Sequence, residues 1–390
     1  MKDKRIWIIF LIIFVNILGF GIILPILPYF AETMGASAIT IGMLTAVFSL
    51  CQLIASPILG ELSDKYGRRP ILLFSILGTA VSFLLLGAAK TIPMLFLSRI
   101  IDGLSGGNIS TAQAYVADIT SKEERSQALG ILGAAFGLGF VMGPAVGGGL
   151  SVYGYSVPAY LAAGVSLLAL ILTWFFLSES VNIKVKMEFR TGKILFSLKD
   201  LMSVLTHKLV GNLVIVTLLL NTAFTIMQGT FSLFAEHALG LNAAKIGFVL
   251  TYVGVMSIIG QLIILKQILR IFSEKRIMFA SILLLSISLL IMGFSTSITI
   301  LLVSVSLMAL GQSLLNPVVT GLISKATPED EQGNIMGLSQ SVASIGRLVG
   351  PILGTFLFGI ANHETPFIAA AIIMLSAVYF IVPKKYYLHF

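Results

Sequence analysis

From Ile6 to Phe30 the chain runs without a charged residue, and Asn16 is the only amide in the stretch. A helix of about 20 residues covers the roughly 30 Å hydrocarbon core of a bilayer, so this run is long enough to cross one. Comparable runs recur to the end of the chain, at 6–30, 40–60, 70–89, 92–117, 127–151, 156–177, 208–234, 245–265, 277–296, 298–323, 334–359 and 365–384. They predict an all-α polytopic membrane protein of twelve spans. Composition agrees. Charged residues make up 11% of the chain against about 25% in soluble proteins, and mean hydropathy is +1.01. A membrane barrel would alternate polar and apolar residues in segments of about ten, and no such alternation is present. The first run is too long for a cleaved signal, and it carries Pro25 and Pro28 instead of a small-residue cleavage site.

Charge sets the expected orientation. An even number of spans puts both termini on one side. Of the 25 lysines and arginines, only Lys90 and Lys245 fall in loops on the other side, and only Arg99 and Arg347 fall within spans. The positive-inside rule then places both termini in the cytoplasm of a cell membrane, expected to be a bacterial inner membrane. The net charge of +8 is a topology signal and implies no nucleic-acid partner. Cys51 is the sole cysteine, which excludes an internal disulfide, and it reads as a small packing residue. The histidines at 207, 237, 363 and 389 are scattered, and neither a Walker loop nor a nucleophile elbow occurs. The expectation is a chain with no enzyme activity, cofactor or metal, acting as a monomer in the lipid bilayer.

The chain also repeats itself at an offset of 207 residues. "GPAVGG" (143–148) corresponds to "GPILGT" (350–355), "ITSKEERSQALG" (119–130) to "ATPEDEQGNIMG" (326–337), and Arg68-Arg69 to Lys275-Arg276. Two six-helix halves in parallel orientation follow. The predicted division is 1–177 as the first bundle, 178–207 as a polar, basic cytoplasmic linker, and 208–390 as the second bundle. Within the linker, Phe189–Leu205 can form a short interfacial helix.

Several motifs resemble those of the major facilitator superfamily, in particular its drug:proton antiporter branch of tetracycline and multidrug exporters. "GELSDKYGRRPIL" (60–72) is similar to the superfamily signature between spans 2 and 3, matching at Gly60, Asp64, Gly67, Arg68 and Arg69. There the glycines suit a tight turn and close helix approach, Asp64 suits the positive end of a helix, and the arginines hold the loop on the cytoplasmic side. The second-half copy, "KQILRIFSEKRIM" (266–278), keeps cations but lacks the glycines and the aspartate, so Asp64 would carry the gate alone. "GLGFVMGPAVGGGL" (137–150) resembles the span 5 antiporter motif at Gly139, Gly143, Pro144, Gly147 and Gly148. Gly139 and Gly143 form a small-xxx-small face, and Pro144 permits a bend. "ILGFGIILPILPYF" (17–30) is similar to span 1 of the exporters at Gly19, Gly21, Pro25 and Pro28, but Asn16 stands where some members carry a proton-loading aspartate.

"LSRIIDGLSGGN" (97–108) resembles the span 4 motif at Arg99 and Gly103. Asp102 lies about 15 Å into its span, deeper than any other acid of the chain. Two readings stand. Asp102 is a permanent partner of Arg99 and Arg347, or it is a proton carrier, with burial opposing its ionisation and the arginines favouring it. Two cations to one acid leave a ready partner when the carboxyl is protonated. By family geometry the substrate cavity would be lined by Asn16, Phe20, Asn108, Gln113, Asn221, Phe224, Met227, Gln228, Phe231, Gln312 and Asn316. Amides, aromatics and methionine suit a small amphipathic organic molecule, although any one Phe or Met can equally be packing. Glu236 and His237, at the outer end of span 7, read as a solvated turn or an influence on exit. The resemblance implies proton-coupled efflux of lipophilic drugs by alternating access. A specific exporter of a sugar, amino acid or other metabolite, and a non-transporting receptor or assembly factor on the same fold, remain open.

Overall fold

The computed structural model describes residues 4–106, 108–180, 210–327 and 332–381. Most of the predicted linker, including the helix expected at 189–205, lies outside them. Without water in a hydrocarbon core, each peptide group must find its partner within its own segment, and helices do this. They are α1 (Lys4–Glu32), α2 (Ala38–Tyr66), α3 (Arg68–Gly87), α4 (Ile92–Ser105), α5 (Asn108–Ile119), α6 (Lys122–Leu150) and α7 (Ser156–Phe176), followed by α8 (Val210–Leu239), α9 (Ala243–Ile268), α10 (Glu274–Gly293), α11 (Ile298–Lys325), α12 (Gln332–Ile360) and α13 (Thr365–Ile381). Among the described residues, ten helices are long and apolar enough to cross a membrane, and α13 is a shorter apolar helix of 17 residues. The fourth span is broken where a continuous helix was expected. α4 ends at Ser105, Gly106 caps it by donating its N–H to the Asp102 carbonyl at 2.7 Å, and α5 starts at Asn108. Two adjacent glycines are a usual cause of such a break. A further irregularity is a π turn within α9 at Gly260–Ile264.

The chain forms two compact units. The first holds α1 up to Ala36, the residues from Val47 through α7, and Asn242–Thr251; the second holds Ser37–Ala46, α8, and Tyr252 through α13. The division therefore differs from a single cut in the linker, because the starts of α2 and α9 pack with the other half of the sequence.

In the first unit, α1 lies between α6 and α7, and α3 packs on α4, α5 and α7. Ile9, Ile12 and Ile13 of α1, Leu72 and Ile76 of α3, Tyr115 of α5 and Leu132 of α6 share one apolar cluster. The second unit repeats the plan, α8 packing on α12 and α13 and α10 on α11 and α13. The repeat is clearest where backbones touch. A Cβ on Gly143 would fall 2.7 Å from the Gly21 Cα and 2.8 Å from the Leu18 carbonyl oxygen. Gly350, 207 residues later, meets the Thr222 carbonyl at 2.9 Å and the Ile226 nitrogen at 3.0 Å. Lipid chains are as apolar as leucine, so helices in a bilayer hold together by close packing of small residues. The α1–α6 and α8–α12 crossings are built that way.

Candidate functional site

In α4, Arg99 and Asp102 are one helical turn apart, and their side chains meet. The Arg99 Nη1 donates to Asp102 Oδ2 at 3.1 Å, with the residues only 2% and 6% exposed. Asp102 is the only buried carboxylate among the described residues. Among the described residues, no other charged side chain pairs with it. From α2, Phe48 lies under the Arg99 guanidinium at 5.9 Å, and Gln52 donates to the Gly106 carbonyl at 3.1 Å, satisfying backbone freed by the break. From α3, the Ser82 hydroxyl faces the carboxylate. Gly103 lets α2 approach, since a Cβ there would fall 2.7 Å from that of Cys51. The lone cysteine is therefore the packing residue expected. Phe48 also stacks on Phe20 of α1, ring centres 5.8 Å apart, so Phe20, Phe48, Arg99 and Asp102 form one continuous file. Arg347 lies in the second unit, half-buried, and donates from Nη2 to Ser344 at 2.6 Å. Among the described residues no carboxylate pairs with it.

At the α2–α3 turn, Gly67 has φ +101°, a conformation that favours glycine. Gly60 contributes nothing similar, because a Cβ there would meet open space. The expectation that both glycines serve close approach is corrected accordingly. Asp64 lies near the end of α2. It pairs with Arg68 at 2.6 Å, while the carboxylate capping α3 is that of Glu179, which accepts from the Arg68 and Arg69 backbone N–H groups at 2.9 and 3.1 Å. Arg68 is 6% exposed and also donates to Ser63 and, at 3.1 Å, to Asp118. Arg69 donates to the Trp174 carbonyl at 2.6 Å and lies over that indole. The arginines thus tie α2, α3, α5 and α7 together instead of extending into solvent. Sequence reasoning missed Glu179 and Asp118; the acid two residues past the sixth span was the available signal. An anion at a helix N-terminus contributes about 0.5–2 kcal/mol. Glu179→Ala is expected to lower the unfolding temperature of the purified protein by a few degrees, whereas Glu179→Asp retains most of it.

The second unit answers this cluster with the charges exchanged. Lys325, 207 residues after Asp118, donates to Glu274 at 2.7 Å, Glu274 standing at the position of Gly67.

The α6 motif divides between two faces. Gly139, Gly143 and Gly147 meet α1 at Ile17, Leu18 and Ile22, whereas Gly148 meets Gly247 and the Ala243 carbonyl at the start of α9. Pro144 lies inside α6, its ring 3.0 Å from a Cβ on Gly21.

The expected cavity residues fall into different settings. Asn16 donates to Asn108 at 3.0 Å, and Gln113 is exposed. Asn221 donates back to the Thr217 carbonyl at 2.8 Å. Phe224, Gln228 and Gln312 are half-buried, and Asn316 is exposed. Met227 and Phe231, at 4% and 2% exposed, are packing residues of the second unit. His237 sits against Phe358 and the Leu233 carbonyl.

Two units of helices long and apolar enough to cross a membrane, with a charged pair buried inside one of them, define a polytopic helical membrane protein. The chain matches the Major Facilitator Superfamily over residues 9–266 and 213–388. It is 32% identical over 381 residues to multidrug resistance protein 2 of Bacillus subtilis strain 168, covering 96% of this chain and 94% of that protein. It is 30% identical to the class H tetracycline resistance protein of Pasteurella multocida, covering 91% and 89%. Among solved structures, the human organic anion transporter MFSD10 superposes with a TM-score of 0.72 at 22% identity, over 98% of this chain and 100% of that one. The nucleoside transporter NupG superposes with 0.77 at 15%, over 98% and 100%. These likenesses show the fold. The chain belongs to the Major Facilitator Superfamily and is a multi-pass membrane transporter of small organic molecules, not an enzyme.

Proposed function

We propose that this transporter exports lipophilic drugs or related small organic molecules in exchange for protons, by alternating access of its two halves. It acts as a monomer in a bacterial inner membrane, both termini in the cytoplasm, with the first bundle at 1–177 and the second at 208–390. The single observation that carries the proton reading is the isolated Arg99–Asp102 pair, 3.1 Å long and buried. A carboxylate placed there costs several kcal/mol unless paired or protonated, so its charge state can follow its partner's position. Relatives named for multidrug and tetracycline resistance support efflux as the direction and lipophilic compounds as the cargo. Asn16, Phe20, Gln228 and Gln312 are the proposed lining. Asp64, Arg68 and Arg69 hold the α2–α3 turn through the cycle, and the α6 glycines hold its crossings.

The test is transport by the purified protein in proteoliposomes, with and without a pH gradient. The expected result is gradient-driven movement of a lipophilic dye or a tetracycline coupled to counter-movement of protons. Movement of sugars or amino acids alone would replace drug efflux with metabolite export, and no counterflow of any compound would sink transport of this kind.

A further inference from the structure

We propose that the seam between α3 and the α4–α5 pair holds a file of water molecules that carries protons between Asp102 and the Arg68–Asp118 cluster, separate from the path of the organic substrate. The proposal rests on Asp102 being the proton carrier.

The seam follows from register. α3 runs antiparallel to the fourth span. Ser82 faces Asp102, a Cβ on Gly78 would run into the Ser105 hydroxyl, and Arg68 donates to Asp118 at 3.1 Å. As residue numbers fall along α3 they rise along α4 and α5, so one strip of contact joins the buried acid to the charged cluster. Ser82 and Arg68 are fourteen residues apart, about 21 Å of helix.

The strip is polar, and its hydroxyls lack partners. Ser75 and Thr79 on α3 and Thr111 on α5 are at most 4% exposed, yet none of their hydroxyls has a hydrogen-bond partner, nor does the buried Arg99 Nε. Most buried hydroxyls elsewhere bond to their own helix, although Ser166, Thr173 and Ser281 also lack partners. Thr230 and Ser286 donate to the carbonyl four residues back, and Ser304 to the one three back, the usual arrangement in a membrane helix. A buried hydroxyl left unsatisfied is costly, and buried polar groups that neighbours do not satisfy are met by internal water. The side chains along the strip are small, serine, glycine and threonine at 75, 78 and 79 on α3 and serine and threonine at 105 and 111 on α4 and α5, with the Ser105 hydroxyl against Gly78. Beyond Thr111, the fully buried Tyr115 reaches its hydroxyl to the Ser178 carbonyl at 2.7 Å, beside Ser180, which donates to Asp118 at 3.2 Å. Hydroxyls and water each donate and accept, so such a file passes protons where an amphipathic drug cannot enter. The charged groups at its ends are Asp102 with Arg99, and Asp118 with Arg68, Asp64 and Glu179 close by.

Two measurements on the full chain test it. Radiolytic hydroxyl-radical labelling, which reports water against a side chain, should modify Tyr115 in the wild-type protein despite its burial; an unlabelled Tyr115 would remove the file. In proteoliposomes, the double variant Ser75→Ala/Thr111→Val, which adds no bulk, should slow pH-gradient-driven transport about tenfold, the effect of about one lost hydrogen bond. Substrate counterflow without a gradient should be unchanged, and Thr111→Ser should restore the rate. Unchanged gradient-driven transport, or equal loss of both modes, would overturn the proposal. Asp102→Asn separates the two ideas. If that variant is inactive and Tyr115 is unlabelled, the carrier stands and the water file falls. If it keeps gradient-driven transport, the carrier reading falls first.

Discussion

Asp102→Asn is expected to abolish pH-gradient-driven export while leaving expression and substrate binding close to wild type, with a lowered unfolding temperature because the buried Arg99 guanidinium keeps only a neutral acceptor. Asparagine keeps the volume and one acceptor for Arg99 Nη1, now 3.1 Å from Asp102 Oδ2, but it cannot load a proton. The same pair predicts a different result from its other side. Arg99→Met leaves a carboxyl buried with no cation among the neighbouring α2 and α3 side chains, Phe48, Gln52 and Ser82. Breaking a buried pair from one side costs about 3–5 kcal/mol, so the single variant should be poorly folded. The double variant Arg99→Met/Asp102→Asn removes both charges and should recover stability without recovering transport. This double-mutant cycle, read in thermal unfolding and in proteoliposome uptake, separates the structural pair from the carrier. A structural pair predicts that the double variant regains both properties. Full gradient-driven transport by Asp102→Asn alone would end the carrier reading.

What could be read from the sequence follows from what each residue must satisfy locally. A span announces itself because every residue in it must tolerate lipid or a packed neighbour, so the runs at 6–30 and 208–234 needed no partner to be recognised. The repeat was legible for a similar reason: Gly139, Gly143 and Pro144 recur as Gly346, Gly350 and Pro351, and close crossing leaves few alternatives to a small side chain at such positions. Relations between distant helices were not legible. Asp118 lies fifty residues from Arg68, and Glu179 lies more than a hundred from the helix it caps. In the sequence both look like ordinary acids at span ends, and only the packing of α3 against α5 and α7 gives them a role. Gly60 erred in the opposite direction, since a glycine matching a motif says nothing about whether a neighbour is close. The break at Gly106 was written in the sequence as two adjacent glycines, but its apolar surroundings hid it. Met227 and Phe231 carry side chains suited equally to a binding surface and to a core, and burial alone decides between them.

The glycine run of α6 allows the second large effect to be predicted within three consecutive residues. A Cβ on Gly147 would run into the Ile22 carbonyl oxygen and fall 2.9 Å from the Ile22 carbonyl carbon and Cα. These are backbone atoms of α1, which cannot rotate out of the way. Overpacking a well-filled site costs about 1–3 kcal/mol when side chains can adjust, and here they cannot. Gly147→Val should therefore separate α1 from α6, lower the yield of folded protein sharply and abolish transport. Gly148→Val strikes a different contact, the Gly247 Cα at 2.7 Å and the Ala243 carbonyl at 2.8 Å. It spares the α1–α6 crossing, so the protein should remain folded, but the start of α9 can no longer rest against α6 and transport should fall. Gly149, the third of the run, meets nothing within 4 Å of a built Cβ. Gly149→Ala should be silent in transport and gain up to about 1 kcal/mol from helix propensity. Expression, thermal unfolding and uptake measured on the three variants together test whether contact or motif membership governs these positions. If Gly149→Ala were as damaging as Gly147→Val, the backbone crossing would not be the reason glycine stands there.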